Sequence, residues 1–80
     1  MKDNSELFST TDLALTCALS LTVPIDSIDR SDPKKVQFRF IRTNYLEDIV
    51  NNYWNNNLKV SPQEYFNQIK VIKTRIYGGD

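Results

Sequence analysis

The residue types that most often do acid–base or nucleophilic chemistry are scarce in this chain of 80 residues, which has no histidine and one cysteine. Without an imidazole, a hydrolase triad is nearly excluded, and a structural zinc site has at most one thiolate ligand. Cys17 lies between apolar residues, so we expect a buried structural thiol. The only glycines, Gly78 and Gly79, leave no glycine-rich phosphate loop. We therefore expect a protein that is not an enzyme and uses no metal or cofactor.

Carboxylates recur every third residue at Asp26, Asp29 and Asp32, a spacing that would let three oxygen ligands meet around a hard cation such as Mg²⁺. The spacing matches no calcium loop, and aspartate is a common turn residue. Glu47 and Asp48 are adjacent within a predicted helix, so their side chains splay apart instead of forming an acid–base pair. We expect structural roles for these acidic residues.

A basic and aromatic surface is predicted on the last helix, where four side chains fall within about 60° of each other on the helical wheel: Phe66, Lys70, Lys73 and Tyr77. Aromatic faces interleaved with ammonium groups suit stacked bases and phosphates of a nucleic acid. Arg39 and Arg42 from a predicted hairpin would extend this surface. In the alternative interpretation, Phe66 widens the apolar core stripe and the lysine stems cover it.

A second candidate surface surrounds the only tryptophan, at the end of the predicted middle helix. Its members are Trp54, Tyr53, Asn51 and Asn55. Tryptophan at the boundary of an apolar helix face is a common anchor of protein interfaces. The alternative is a core-edge tryptophan that closes a small domain.

Charge is balanced overall, with ten basic and ten acidic residues, but it is unevenly distributed. Residues 1–29 carry one lysine and five acidic residues, whereas residues 30–77 carry nine basic and four acidic residues. Such asymmetry can serve an anionic partner, or self-association in which the acidic part of one copy faces the basic part of another. The zero net charge weakens any broad attraction to nucleic acid.

These surfaces must be positioned by elements that the sequence pattern predicts in order. Ser9 is expected to cap a first helix, with Asp12 at the capping-box position and a staple between Phe8 and Leu13. That helix is apolar on nearly all sides, with a polar wedge of Asp12, Thr16 and Ser20. Such a helix is either central or lends one side to a partner, and we favour the central position.

A β-hairpin is predicted next, pairing residues 24–29 with 35–42. Val36, Phe38 and Phe40 alternate with polar residues and should form a buried strand face, while Arg39 points to the open face beside Gln37 and Ile41.

Two further helices follow the hairpin. Asn44 is expected to cap the middle helix, which ends near Asn57 in a left-handed conformation. Ser61 and Pro62 predict the start of the last helix, with a staple between Val60 and Tyr65.

The predicted fold is a small α+β single domain ordered helix–β-hairpin–helix–helix. It spans residues 8–77, between a flexible start (1–7) and a frayed end (78–80). The longest uncharged stretch, Leu13 to Ile25, is too short to span a bilayer, which requires about 20 residues. We expect no membrane association. The single cysteine fits a reducing compartment and predicts a cytoplasmic protein.

Residues 8–15, with the sequence FSTTDLAL, form a fairly specific opening pattern. Looser similarities continue at residues 28–30, at 53–55 (YWN) and from 65 to 77. Across residues 7–77 the chain resembles a family of short uncharacterised bacterial and mobile-element proteins, a domain of unknown function. The resemblance implies a stand-alone small domain, often in phage-related settings, and brings no activity, ligand or catalytic residue.

Two function classes remain open from the sequence. The first is a non-enzymatic module that binds an unidentified protein partner, such as an accessory or inhibitor protein of a phage or mobile element. The alternative is a nucleic-acid-binding module that uses the last helix and the hairpin. A homo-oligomeric role is a third possibility.

Overall fold

A computed structural model describes residues 6–78 of the chain. Six elements follow one another: β1 (Leu7–Thr10), α1 (Leu13–Ser20), β2 (Ser27–Asp29), β3 (Gln37–Ile41), α2 (Asn44–Trp54) and α3 (Pro62–Gly78). The predicted α+β class is confirmed, and the predicted hairpin is β2–β3. The first strand, β1, is absent from the predicted order.

The predicted helix start at Ser9 is wrong, because residues 7–10 form β1 and pair antiparallel with β3. Asp12 caps α1 instead, and its carboxylate accepts a hydrogen bond from the Leu15 N–H at 3.2 Å. Pairing with a distant strand has overridden a plausible local capping signal. Leu7, predicted in the flexible start, belongs to β1, whereas residues 1–5 and 79–80 of the predicted loose ends lie outside the described residues.

The sheet has the order β1-β3-β2, with β3 in the centre. Phe8 lies opposite Phe40, and Ile28 lies opposite Phe38, so these four side chains share the face that packs into the core. The other face carries Arg39 at its centre, as the alternation predicts. An antiparallel sheet with one polar face is expected when helices cover only the opposite face.

The central position predicted for α1 is confirmed, because five consecutive residues from Leu15 to Leu19 are buried. Thr16, predicted to lie in a polar wedge, is fully buried. Its hydroxyl donates to the Asp12 carbonyl at 2.8 Å, which satisfies a polar group that would otherwise be costly in the core. Burial raises the pKa of the Cys17 thiol, so this group stays neutral near pH 7.

The helices α2 and α3 both pack against α1. Leu46 and Ile49 from α2 and Ile72 from α3 join the core that contains Phe38 and Phe40. The spacing of four, three and four residues predicts an apolar stripe on the last helix, and its members belong to or pack against the core that holds the inner strand face: Tyr65, Ile69, Ile72 and Ile76. The Tyr65 hydroxyl donates to the Ala14 carbonyl at 3.1 Å and further ties α3 to α1.

The ends of α2 and α3 follow local chemistry, with two corrections. Thr43 rather than Asn44 caps α2, its hydroxyl accepting from the Leu46 N–H at 3.0 Å. Asn56 rather than Asn57 takes the left-handed conformation after α2, with φ of 61°. In both cases the predicted residue differs from the observed one by a single position, which is within the usual uncertainty of helix boundaries. The predicted Ser61 cap is confirmed, because its hydroxyl accepts from the Glu64 N–H at 3.4 Å.

Within residues 6–78, no helix combines the length and the apolar character needed to cross a bilayer.

Replacing Phe38 with Ala should lower the free energy of unfolding by about 3–5 kcal/mol, because it leaves a cavity between the sheet and the helices. Urea titration followed by circular dichroism measures the loss. Ile41→Ala is the control on the same strand, since Ile41 is 37% exposed and should cost far less. Equal costs for the two variants would contradict this core.

Asp29 should make the stability of the hairpin depend on pH. Its pKa is lowered from 3.8 to about 2, because the Ser31 N–H and hydroxyl donate to its carboxylate and the Arg39 guanidinium lies 3.0 Å away. A lowered folded-state pKa adds stability above about pH 4 that is lost as the pH falls toward 2. Asp29→Asn should remove this component, so its urea midpoint should fall less steeply with acidification. Parallel pH profiles for the two proteins would refute the linkage.

Candidate functional site

Two of the acidic residues that the sequence singled out, Asp29 and Asp32, use their carboxylates within the hairpin. Asp29 is hydrogen-bonded to Ser31 and paired with Arg39, and the Asp32 carboxylate accepts from the Lys34 N–H at 2.9 Å. Among the described residues, no three carboxylate or thiol groups lie close enough together to hold a metal ion. These aspartates shape a turn, which is the structural role that the sequence favoured.

A hollow of about 400 Å³ lies where α2 ends and α3 begins. We call it the Trp54 groove. It is lined by Ala18, Tyr53, Trp54, Asn56, Leu58, Val60 and Tyr65. All seven side chains are uncharged, and most of them are apolar or aromatic. A lining without charge and with several apolar and aromatic side chains favours an uncharged partner group over an anion.

The backbone between α2 and α3 creates the groove. After Trp54 the chain reverses through Asn56, whose left-handed conformation is one that asparagine tolerates. The Asn57 N–H closes the turn by donating to the Asn52 carbonyl at 2.8 Å. The chain then passes through Leu58 and Val60 before Ser61 caps α3, so two apolar side chains of the connector line the groove.

Two aromatic side chains from the end of α2 line the groove at different depths. Tyr53 is half-buried, whereas Trp54 is 62% exposed. Their rings meet edge to face, with centroids 5.0 Å apart and an interplanar angle of 85°. This geometry is favourable for aromatic pairs and holds the indole beside the groove. Trp54 is therefore presented to solvent rather than used to close the core.

The tyrosines of the groove remain hydrogen-bond donors at neutral pH. Partial burial is the main cause that raises the pKa of Tyr53 and of Tyr65, and the nearby Asp12 carboxylate adds to both shifts. Tyr65 already donates to the Ala14 carbonyl. That bond anchors the ring to α1, so this wall of the groove is set by the contact between α1 and α3.

The four residues predicted for a surface around the tryptophan do not share one site in the structure. Tyr53 and Trp54 line the groove, Asn55 is the C-cap of α2, and Asn51 lines a separate hollow beside Phe8. Sequence reasoning about α2 alone missed the residues that come from other elements: Ala18, Asn56, Leu58, Val60 and Tyr65. The predicted staple spacing of Val60 and Tyr65 was the one signal that could have placed two of them together.

The basic and aromatic residues of α3 form a second surface, which we call the aromatic–lysine ridge: Phe66, Lys70, Lys73 and Tyr77. All four are exposed, with Phe66 at 58% and Tyr77 at 80%. The Lys70 ammonium lies 4.7 Å from the centroid of the Phe66 ring, a cation–π distance. Phe66 therefore lies outside the core stripe, contrary to the alternative in which it widens that stripe.

The two arginines expected to extend the ridge are engaged elsewhere. Arg39 pairs with Asp29 at 3.0 Å on the open face of the sheet. Arg42 lies 3.4 Å from the Glu47 carboxylate, donates to the Leu7 carbonyl and approaches the Phe8 ring. Both guanidinium groups thus stabilise the sheet and its junction with α2. The cations of the ridge are therefore Lys70 and Lys73 alone.

Comparison with known proteins gives one match. No curated protein and no solved structure matches the chain significantly. The model of a family described as a domain of unknown function, DUF5659, matches residues 5–78 and so covers β1 through α3. This agrees with the resemblance to an uncharacterised domain family that the sequence carries. The chain belongs to the DUF5659 family.

Proposed function

We propose that this domain is a non-enzymatic module that binds an apolar segment of a partner protein in the Trp54 groove. The observation that carries the proposal is the 62% exposed indole beside a hollow of about 400 Å³ with an uncharged lining. Exposed apolar surface of this kind marks interaction sites on small soluble domains. Tryptophan is also among the residues most often found as energetic anchors of interfaces.

The groove supports a peptide-like occupant in two ways. Ala18 forms part of its lining, and this small side chain leaves room for a large apolar residue of the partner. Asn56 and the neutral Tyr53 phenol contribute polar groups that can pair with a partner backbone. Because no charged residue lines the groove, binding should depend only weakly on salt.

The wider setting is part of the same proposal. A small domain with one apolar docking site suits an accessory or inhibitor protein that acts on a larger machine of a host, a phage or a mobile element. The buried thiol of Cys17 fits the reducing conditions of the cytoplasm. Self-association through the acidic and basic parts of the chain stays a prediction, which sedimentation at two salt concentrations tests.

Trp54→Ala should abolish partner binding while leaving the fold intact, because the indole is mostly exposed. We would select peptides from a displayed random library against the wild-type domain and measure their affinities by fluorescence anisotropy. The selected peptides should carry large apolar residues and lose affinity by at least about tenfold for Trp54→Ala.

Phe66→Ala is the matched control, since it removes an aromatic side chain of similar exposure outside the groove. Peptides that bind Trp54→Ala as well as the wild type, or a selection that enriches no apolar peptide, would contradict the proposal. Thermal unfolding of both variants checks that the domain remains folded.

A second candidate function is nucleic-acid binding by the aromatic–lysine ridge. It is favoured by the exposure of Phe66 and Tyr77, which leaves both rings available for base stacking beside two lysines. From residue 65 onward, α3 carries three basic residues and no acidic residue. A local positive surface of this kind can attract phosphates even in a chain of zero net charge.

The double substitution Lys70→Glu/Lys73→Glu should strongly weaken such binding. Labelled single- and double-stranded DNA and RNA would be titrated at two salt concentrations. Loss of two phosphate contacts should weaken binding and lower the salt slope by about two. Lys59→Glu, on the connector before α3, is the charge-change control. Absence of wild-type binding at low salt would remove this candidate and leave the Trp54 groove unaffected.

A further inference from the structure

A hollow of about 290 Å³ lies where the β2–β3 turn meets the start of α1 and the last turns of α3. We call it the turn hollow. The turn contributes Pro33, Lys34 and Lys35, while α3 contributes Ile76 and Tyr77. It lies at the opposite end of α3 from the Trp54 groove, and Tyr77 also belongs to the aromatic–lysine ridge.

The charge of the turn hollow is positive. Lys34 and Lys35 are its only charged lining residues. The nearest carboxylate in sequence, Asp32, accepts from the Lys34 N–H at 2.9 Å, and its carbonyl accepts from the Lys35 N–H at 3.0 Å. Asp32 thus closes the turn that carries both lysines. In the part of the chain that the structure describes, neither ammonium group takes part in an ion pair.

Apart from Thr11, the rest of the lining is apolar and aromatic. Val36, Phe38 and Ile76 are among its apolar residues, and the Tyr77 side chain lines the hollow with 80% of its surface exposed. An exposed aromatic ring beside apolar side chains accepts a flat ring by stacking. The Thr11 hydroxyl adds a polar group to the lining that can donate to or accept from a ligand.

We propose that the turn hollow binds a single nucleotide unit, with its phosphate held by Lys34 and Lys35 and its base stacked on Tyr77. A phosphate requires the cations, and a base requires the aromatic and apolar wall, so the lining matches the two halves of a nucleotide. A volume of about 290 Å³ lies at the lower end of small-molecule sites, which fits a ligand of this size.

The proposal is independent of the Trp54 groove, and it narrows the nucleic-acid candidate to one subsite that the sequence did not single out. The nucleotide has two sources: a free nucleoside monophosphate, or one unit of a nucleic-acid strand that continues along the aromatic–lysine ridge. Tyr77 belongs to both the turn hollow and the aromatic–lysine ridge. A strand with one unit in the hollow can therefore continue along the ridge.

The test is a titration of the ¹⁵N-labelled domain, followed by NMR at low and at moderate salt. The probes are adenosine monophosphate, adenosine, inorganic phosphate and a short single-stranded DNA. Adenosine monophosphate or the DNA should shift the amide signals of residues 34, 35 and 77. Lys34→Glu/Lys35→Glu should weaken that binding by roughly tenfold or more. Tyr77→Ala should reduce the difference in affinity between adenosine monophosphate and inorganic phosphate, because the base loses its stacking partner.

For free adenosine monophosphate, the double variant Lys70→Glu/Lys73→Glu is the matched control, because it makes the same charge change outside the turn hollow. For the DNA, the control is Lys59→Glu, which lies outside both the hollow and the ridge. Binding of free adenosine monophosphate that is lost only in the turn variant identifies the free nucleotide as the source. Binding of the DNA alone, weakened by the turn variant, identifies a strand.

Three results would overturn the proposal. The first is the absence of binding by both adenosine monophosphate and DNA at low salt, and the second is binding that the turn variant leaves unchanged. The third is inorganic phosphate binding as tightly as adenosine monophosphate, which would show an anion site with no preference for a nucleotide. None of these results bears on whether a peptide occupies the Trp54 groove. Circular dichroism of each variant confirms that it is folded.

Discussion

The helix α1 has almost no side that can face water, and the rest of the domain is arranged to cover it. Five consecutive residues from Leu15 to Leu19 are buried, so neighbours must surround this segment on every side. Two phenylalanines of β3 fill one part of the core around α1, while α2 and α3 pack against it elsewhere. An eight-residue helix has little stability alone, so its burial and the fold form together.

The Trp54 groove is a consequence of this arrangement. Both α2 and α3 must reach α1, but a short connector joins them, and the space between their adjoining ends is left open above Ala18. Tyr65 is held on one wall by its hydrogen bond to α1. The exposed indole of Trp54 is thus displayed by elements whose positions are set by the core. The proposed docking surface is built on these elements, which limits the conformational entropy that binding would cost.

The basic surfaces of the domain lie apart from the uncharged Trp54 groove. Arg39 is paired with Asp29 and Arg42 with Glu47. These two charges therefore contribute to the stability of the fold more than to the electrostatic field around the protein. The lysines of α3 and of the β2–β3 turn have no such pairing among the described residues. Tyr77 joins these two groups of lysines, because it ends the ridge and lines the turn hollow. The apolar and basic surfaces are therefore distinct and can be tested by separate variants.

Local signals in the sequence determined the elements whose chemistry is complete within a few residues. The Ser61–Pro62 start of α3 depends on one hydroxyl and one ring, and the alternation of Phe38 and Phe40 determines which strand face is buried. The apolar circumference of α1 likewise implied a central helix. Only the tertiary structure decided that residues 7–10 are a strand, because their hydrogen-bond partner is β3, some 30 residues later.

The candidate sites likewise depend partly on local sequence and partly on tertiary packing. Exposure of Trp54 and Phe66 depends on which helix faces are covered, and the pattern of α2 or α3 alone left both alternatives open. The Trp54 groove gathers residues from α1, α2, the connector and α3, and the turn hollow gathers residues from the start of α1, the β2–β3 turn, β3 and α3. Side-chain types and spacing are local properties, whereas a concave surface requires elements distant in sequence to pack together. The sequence by itself therefore determined which residues could bind, and tertiary packing decided which of them share a site.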